Sequence, residues 1–285
     1  MKFIKSIQDY LKRSDKLLWL ITISISTYCL LLLYSVSRAG KNFFYTQFFA
    51  ITIGYIGAIL LTFVDYRGLA NLWHIIAIVG VLLIVYTLIF GISVEGSAGV
   101  NAKAWINLPF GITFQPSELV KILFIITFSK HLSIMKENGT LKSFKSVMLL
   151  AIHALVPVGL THLQGDDGAA IIFFFMFLSM SFAAGVQFRY FAVLFGIIIS
   201  AIPFVWNYVL APYQKNRLIN QFNPESDPLG AGYQQIQSQI SIGSGKIFGR
   251  GLFKGPRVSH SIVPVQESDF IFSVAGEELG FIGCV

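Results

Sequence analysis

Charged residues are scarce in this chain. Asp, Glu, Lys and Arg make up 12% of its 285 residues, whereas hydrophobic residues make up 55% and aromatic residues 15%. A soluble domain carries about 25% charged residues, so the composition excludes an ordinary soluble protein. Apolar runs of about 20 residues, the length that crosses a bilayer, predict an integral membrane protein.

Cysteines are few, and the histidines are not clustered. Cys29 and Cys284 both lie in apolar runs, which argues against a disulfide framework. The five histidines form no HxxxH or HExxH pattern, so no dedicated zinc site is expected. The net charge of +7 would suit a nucleic-acid partner, but its distribution favours orientation in a membrane. No nucleic acid is therefore expected to bind.

The apolar runs predict an all-α, polytopic transmembrane helix bundle. The first run has basic flanks like a signal peptide, but it is too long for one and no cleavage pattern follows, so we interpret it as a retained anchor. An eighth run, from residue 269 to 285, is shorter than the roughly 20 residues of a span, so we expect the natural chain to continue with further spans. The seven complete spans are predicted at residues 17–36, 43–64, 72–92, 116–133, 147–163, 169–186 and 190–211.

Basic residues are unequally distributed between the connections. With the N-terminus in the cytoplasm, the cytoplasmic side holds Lys2, Lys5, Lys12, Arg13, Lys16, Arg67, Lys130, Lys136, Lys142, Lys145 and Arg189. The short outer connections hold only Arg38, Lys41 and Lys103. This asymmetry predicts a cytoplasmic N-terminus. It makes 93–115 and 212–268 outer loops of a single domain that covers residues 1–285.

Three carboxylates in the last run suggest chemistry. Asp269 stands at its outer mouth, and Glu277 and Glu278 lie inside it. Burying acidic groups is costly, so they call for a function. Asp269 is either a general base with access to the outer surface or the N-cap of the helix.

Further polar groups occur next to the other spans. Glu118 and Lys121 are three residues apart and share a helix face, either as a structural ion pair or as the polar lining of a cavity. Trp105 is either an interfacial anchor or a substrate contact. Asp166 and Asp167, flanked by glycines, form either a divalent-cation site or a tight polar turn.

The outer loop 212–268 is much longer than the other connections, and loops of that length are usually functional or disordered. Apolar residues at helical spacing between Tyr233 and Ile240 predict a short amphipathic helix lying on the membrane. Glycines then alternate with cations that include Lys246 and Arg250. Such a segment suits an anion such as a pyrophosphate, or is a solvated basic face.

Several segments, in order over nearly the whole chain, form a distinctive set. They read AWI (104–106), FQPSEL (114–119), NPESDPLGAGYQ (223–234), IGSG (242–245), SDFIF (268–272) and EELG (277–280). Together they resemble the SEDS family (RodA, FtsW and SpoVE), most closely its RodA branch. The resemblance implies about ten transmembrane helices in the bacterial cytoplasmic membrane. It also implies a peptidoglycan glycosyltransferase that polymerises lipid II on the outer face for cell shape and elongation, with a class B penicillin-binding protein as partner.

The resemblance also implies roles for single residues. The family's catalytic aspartate falls on Asp269, and other functional positions fall on Trp105, Glu118, Lys121, Asp166 and Arg217. This sequence departs from the family pattern at Ala104, where many members carry arginine. A second departure is at residues 264–269, which read PVQESD where many members have Pro-Glu-x-His-Thr-Asp. Roles of those missing side chains are not carried over.

Two other functions and one cofactor stay open. Intramembrane charges also fit a transporter that flips a lipid-linked precursor. A scaffold that only activates a penicillin-binding protein is a third function. No cofactor is implied with certainty; a divalent cation, Mg²⁺ or Mn²⁺, stays an alternative for which no ligand set is evident.

Overall fold

The computed structural model describes residues 14–38, 43–95, 101–107, 113–230 and 232–285. The basic residues before Ser14, and Lys41, which entered the orientation argument, lie outside these ranges. A few residues are described by their backbone alone: Tyr66, Arg67, Val94, Glu95, Asn101, Tyr213 and Arg217.

Helices make up most of the described chain. They are α1 (Lys16–Ser37), α2 (Phe43–Leu61), α3 (Tyr66–Asn71), α4 (Trp73–Phe90), α5 (Pro116–Glu137), α6 (Phe144–Leu163), α7 (Asp167–Ala184), α8 (Phe188–Phe204), α9 (Pro212–Phe222), α10 (Tyr233–Ser244), α11 (Pro256–Ser259) and α12 (Ile271–Cys284). A π-helical turn at Val205–Val209 continues α8, and a 3₁₀ turn occupies Pro224–Ser226.

Each predicted span corresponds to a helix at the expected place. In the described part of the chain, six helices are long and apolar enough to cross a membrane: α1, α2, α4, α6, α7, and α8 with its π turn. The fourth predicted span is α5, 22 residues long, which is less apolar because Glu118, Lys121 and further charges lie within it. The partial eighth span is α12. The prediction of an all-α polytopic bundle is confirmed.

A small antiparallel sheet is an addition to that prediction. Its strands are β1 (Ile92–Glu95), β2 (Asn101–Asn107) and β3 (Thr113–Phe114), in that order. Trp105 lies opposite Ile92, and Ile106 lies opposite Phe114. The sheet therefore connects the end of α4 to the start of α5.

Packing divides the chain into two compact units, residues up to Phe63 with Gln214–Val285, and Val64–Tyr213. The core of the unit Val64–Tyr213 contains Phe124, Phe128 and Phe173. The ring of Phe124 lies 5.0 Å from that of Phe128 and 5.5 Å from that of Phe173. Large apolar side chains on the outer helix faces are exposed, as expected where the surrounding solvent is lipid.

In the other unit, α1 and α10 both pack on α12. Small residues allow the close approach of α10: the hydroxyls of Ser238 and Ser273 are 2.6 Å apart. A Cβ on Gly276 would lie 3.0 Å from the Cα of Ile242. The helix predicted between Tyr233 and Ile240 is confirmed as α10, whereas α9 was not predicted.

Candidate functional site

The candidate residues fall into one group in each unit. Asp269, Glu277, Glu278, Lys246, Arg250 and Arg217 belong to the unit that contains α12. Trp105, Glu118, Lys121 and Asp166 belong to Val64–Tyr213.

Asp269 lies in a turn immediately before α12. Its side chain is exposed, and it makes no hydrogen bond or ion pair with any residue that the structure describes. The helix N-cap is Phe270, without a capping hydrogen bond from its side chain. The N-cap alternative for Asp269 is therefore wrong, because the helix begins one residue too late. The carboxylate stays available for chemistry.

The turn before Asp269 is held in an unusual conformation. Val265 has a φ of 55°, which is rare for a β-branched residue. Its carbonyl accepts the backbone N–H of Ser268 at 3.2 Å. A pocket of about 310 Å³ lies beside this turn, lined by Val36, Ser261 and residues 263–267. Strained backbone of this kind concentrates at functional sites.

Glu277 and Glu278 are both buried, as predicted, at 0% and 1% exposure. Oε1 of Glu277 accepts the backbone N–H of Arg257 at 2.9 Å. Oε1 of Glu278 accepts the Ser35 hydroxyl at 2.6 Å. The second oxygen of each carboxylate has no hydrogen-bond partner in the described part of the chain. The two glutamates thus hold α11 and α1 against α12.

Arg257 is a residue that sequence reasoning did not select. Its guanidinium donates to the hydroxyl of Ser241 at 2.9 Å and to the side-chain carbonyl of Gln237. It therefore joins α10 to α11, the short helix that Glu277 binds. Its place in the series of alternating glycines and cations was the only available signal.

Lys246 and Arg250 have exposed side chains, and their backbones lie along the second half of α12. The Lys246 carbonyl accepts the N–H of Phe281 at 2.9 Å, and the Arg250 N–H donates to the Glu277 carbonyl at 2.9 Å. This contact requires glycines: a Cβ on Gly249 would overlap the carbonyl of Glu278. Arg217 lies in α9, and its side chain is outside what the structure describes.

Glu118 and Lys121 form the predicted pair. Lys121 Nζ lies 2.8 Å from both carboxylate oxygens of Glu118. The lysine side chain is 17% exposed and the glutamate 58%. The pair therefore presents its acidic partner outward at the first turn of α5.

Asp166 caps α7 and also contacts α5. One carboxylate oxygen accepts the N–H of Ala169 at 3.0 Å, and the other accepts the side-chain amide of Gln115 at 2.6 Å. The adjacent Asp167 pairs with His162 at 2.6 Å. The tight polar turn predicted as one alternative is present. Gln115, at the start of α5, was not selected from the sequence.

Trp105 is half-buried in β2, the strand that packs against α4 and α5. The neighbouring Lys103 donates its backbone N–H to the carbonyl of Gln164 at 3.0 Å, which ties the sheet to the turn that carries Asp166. Trp105, Glu118 and Asp166 therefore lie at the same end of this unit. Within the described residues, no three or more His, Cys, Asp or Glu side chains form a metal-binding cluster.

The whole chain is similar to proteins of bacterial cell-wall synthesis. The model of a family described as cell cycle protein, comprising FtsW, RodA and SpoVE, matches residues 15–285. The chain is 29% identical to the peptidoglycan glycosyltransferase MrdB of Escherichia coli (strain K12), over 94% of this chain and 70% of that protein. It is 34% identical to the probable peptidoglycan glycosyltransferase FtsW of Trichlorobacter lovleyi, over 95% and 71%.

Solved structures share the fold. A chain from a structure described as "Structural coordination of polymerization and crosslinking by a peptidoglycan synthase complex" aligns with a TM-score of 0.70 and 27% identity, over 93% of this chain and 72% of that one. The crystal structure of Thermus thermophilus rod shape determining protein RodA aligns with a TM-score of 0.58 and 24% identity, over 93% and 68%. At that identity the second match supports the fold alone.

Proposed function

The chain belongs to the FtsW/RodA/SpoVE family of cell cycle proteins, and we propose that it is a peptidoglycan glycosyltransferase. It is a multi-pass membrane protein, and it polymerises lipid II into glycan strands at the outer face of the bacterial cytoplasmic membrane. The observation that carries this function is its match, over 94–95% of its length, to proteins named as peptidoglycan glycosyltransferases.

Asp269 is the proposed general base. Its carboxylate takes the proton from the 4-hydroxyl of the acceptor sugar as that oxygen attacks the anomeric carbon of the donor. The bond from the anomeric carbon to undecaprenyl pyrophosphate breaks, and the pyrophosphate leaves with the electron pair. Support comes from the exposed carboxylate, which no described residue engages, and from the pocket beside its turn. A positioned base of this kind contributes about 10²–10⁴-fold in rate.

Cations are proposed to offset the negative charge of the leaving pyrophosphate. Lys246 and Arg250 are exposed on the segment that pairs with α12, and Arg217 lies on α9 of the same unit. Trp105, Glu118, Lys121 and Asp166 are proposed substrate-binding residues of the other unit. Support comes from their position at one end of it, where Lys103 and Gln115 both contact the turn that begins α7.

The decisive experiment replaces Asp269 in the protein expressed from its complete gene. Asp269→Asn has nearly the same shape and cannot take the proton, so polymerisation of purified lipid II should fall by about 10²–10⁴-fold. The matched control is Glu137→Gln, an exposed carboxylate at the far end of α5, which should polymerise at the wild-type rate. If Asp269→Asn formed polymer at the wild-type rate, the assignment of Asp269 as the general base would be wrong.

The same assay separates the rival functions. The assay is run in detergent, where there is no bilayer to separate two compartments. A protein that only flips the precursor across a membrane would therefore produce no polymer. A pure scaffold would predict that Asp269→Asn stimulates its partner as well as the wild type does. Polymer that depends on Asp269 contradicts both.

A class B penicillin-binding protein is the proposed partner, supported by the similarity to a chain of a peptidoglycan synthase complex. Co-expression with a tagged class B protein from the same genome should yield a complex that survives size-exclusion chromatography. A class A protein is the control and should not co-purify.

We also propose that the N-terminus is cytoplasmic, with Lys136 inside and Asp227 outside. Single cysteines placed at these two positions are labelled in intact cells, and only Asp227→Cys should react with an impermeant maleimide.

The RodA-like motifs favour a role in cell elongation. Expression in Escherichia coli cells depleted of MrdB should restore the rod shape, and expression in cells depleted of FtsW should not restore division. The reverse pattern would assign the chain to division.

A further inference from the structure

A groove of about 230 Å³ lies between α6, α7 and α8. Its walls are almost wholly apolar and include Ala151, Phe177 and Leu194. Leu155 and Val193 also line it, and they are 57% and 61% exposed. The groove therefore opens sideways, on the surface where these helices face lipid. Its chemistry suits a hydrocarbon chain.

One polar atom interrupts this apolar wall. Ser181 lines the groove and is 2% exposed, and its hydroxyl has no hydrogen-bond partner among the described residues. Nearby helix residues satisfy theirs internally: Ser179 donates to the carbonyl of Phe175 at 2.8 Å. A buried hydroxyl in apolar surroundings is costly unless an acceptor meets it. An acceptor inside the groove would supply that hydrogen bond.

Positive charge surrounds the same end of the groove. Ser181 lies in the last turn of α7, close to the start of α8, where Arg189 is exposed. The Arg189 guanidinium and the Tyr190 hydroxyl both donate to the carbonyl of Lys142, at 3.2 and 2.9 Å, and so bring the starts of α6 and α8 together. Lys142 and Lys145 are also exposed there. A hydrocarbon chain that enters the groove would therefore carry its head group among cations.

We propose that the groove binds one acyl chain of an anionic glycerophospholipid. The ester carbonyl of the lipid accepts the hydrogen bond of the Ser181 hydroxyl, and its phosphate faces Arg189, Lys142 and Lys145. With the N-terminus in the cytoplasm, this is the cytoplasmic leaflet, opposite the proposed site of polymerisation. An isoprenoid pyrophosphate fits less well, because it has no ester carbonyl for Ser181.

Head-group selectivity is tested by native mass spectrometry of the delipidated protein with equal amounts of dioleoylphosphatidylglycerol and dioleoylphosphatidylcholine. One phosphatidylglycerol should be retained preferentially. Lys145→Gln and Arg189→Gln should each weaken its binding roughly fivefold. The control Lys254→Gln removes an exposed cation of the other unit and should change nothing. Equal retention of the two lipids would overturn the proposal.

The groove itself is tested by filling it. Ala151→Trp should abolish retention of phosphatidylglycerol, whereas Ile152→Trp, an exposed neighbour outside the groove, should not. Retention by Ala151→Trp would contradict the site. Displacement of phosphatidylglycerol by equimolar undecaprenyl phosphate would instead assign the groove to isoprenoid chains and overturn the proposal.

The role of Ser181 has its own readout, which does not depend on how the tryptophan variant folds. Wild type should retain diester phosphatidylglycerol several-fold better than its diether analogue, which lacks the carbonyl. Ser181→Ala should remove that difference. A wild-type protein that does not distinguish ester from ether would contradict the proposed hydrogen bond.

Discussion

The hydroxyl of Ser35 and Oε1 of Glu278 are joined by a hydrogen bond of 2.6 Å, and both side chains are buried. The two residues are 243 positions apart in the chain. The bond therefore fixes α1 to the helix that follows Asp269. It is also the single hydrogen bond to this carboxylate from a described side chain.

Ser35→Ala should lower the stability of the protein in detergent. Removal of the hydroxyl leaves a buried carboxylate without its donor, which costs about 1–3 kcal/mol. The midpoint of thermal unfolding measures the effect. Ser24→Ala, on the exposed face of the same helix, is the control and should stay within about 0.5 kcal/mol of wild type. Equal midpoints for Ser35→Ala and Ser24→Ala would contradict this prediction.

Asp166 has a structural role that can be separated from substrate binding. Asp166→Asn keeps an equally good N-cap, whereas Asp166→Ala loses it and should cost about 0.5–2 kcal/mol. If Asp166 also binds substrate through its charge, the Asn variant should melt close to wild type, with the Gln115 side-chain amide turned to present its oxygen to the new amide nitrogen, but have a raised KM for lipid II. Asp167→Asn, which removes the negative charge of the exposed pair with His162, is the control. Wild-type kinetics of Asp166→Asn would restrict the residue to its structural contacts, the cap of α7 and the hydrogen bond from Gln115.

The Glu118–Lys121 pair is asymmetric, and its two single variants should differ. Glu118→Gln leaves the largely buried Lys121 ammonium without its counter-charge, whereas Lys121→Gln leaves a carboxylate that is 58% exposed to its surroundings. The glutamate variant should therefore be the less stable by about 1 kcal/mol or more. Thermal midpoints in detergent give the order. The double variant should recover part of the loss; strictly additive losses would show that the pair contributes no coupling.

Gly280 should not tolerate a side chain. Its φ of 67° and ψ of −162° interrupt α12 in a region that only glycine adopts readily. A Cβ there would also lie 2.6 Å from the carbonyl oxygen of Ile247. Gly280→Ala should therefore destabilise by about 3 kcal/mol or more.

Gly57→Ala is the matched control for Gly280. It lies in α2, in the same unit, and a Cβ there meets no atom within 4 Å. This variant should be neutral or stabilise by up to about 1 kcal/mol. A Gly280→Ala variant as stable as Gly57→Ala would contradict the close packing of the loop on α12.

The helices were predictable because lipid leaves a spanning segment few alternatives. A run of about 20 apolar residues must satisfy its backbone internally, and a helix does so within the segment. The Glu118–Lys121 pair was predictable for a related reason, since residues three apart on a helix are neighbours. Local spacing sufficed in both cases.

The contacts that organise the candidate site were not predictable in this way. Gln115 binds Asp166 from 51 residues away, and Arg257 binds Glu277 from 20 residues away. The two residues of each pair do not lie on the same helix, so helical periodicity in the sequence does not predict either contact. Two strands of the small sheet, β1 and β3, span only four and two residues, too few to show an alternating pattern. The N-cap of α12 fell on Phe270 because the turn before the helix extends one residue further than expected.

Between Lys246 and Gly251, the loop that follows α10 is bound to α12 by backbone hydrogen bonds, as one strand is bound to another. Four backbone hydrogen bonds join Lys246 to Phe281, Ile247 to Ile282, Arg250 to Glu277 and Gly251 to Glu278. Loop and helix cannot slide past each other unless these bonds break. Any displacement of the segment 246–251 must therefore carry with it the helix that follows Asp269.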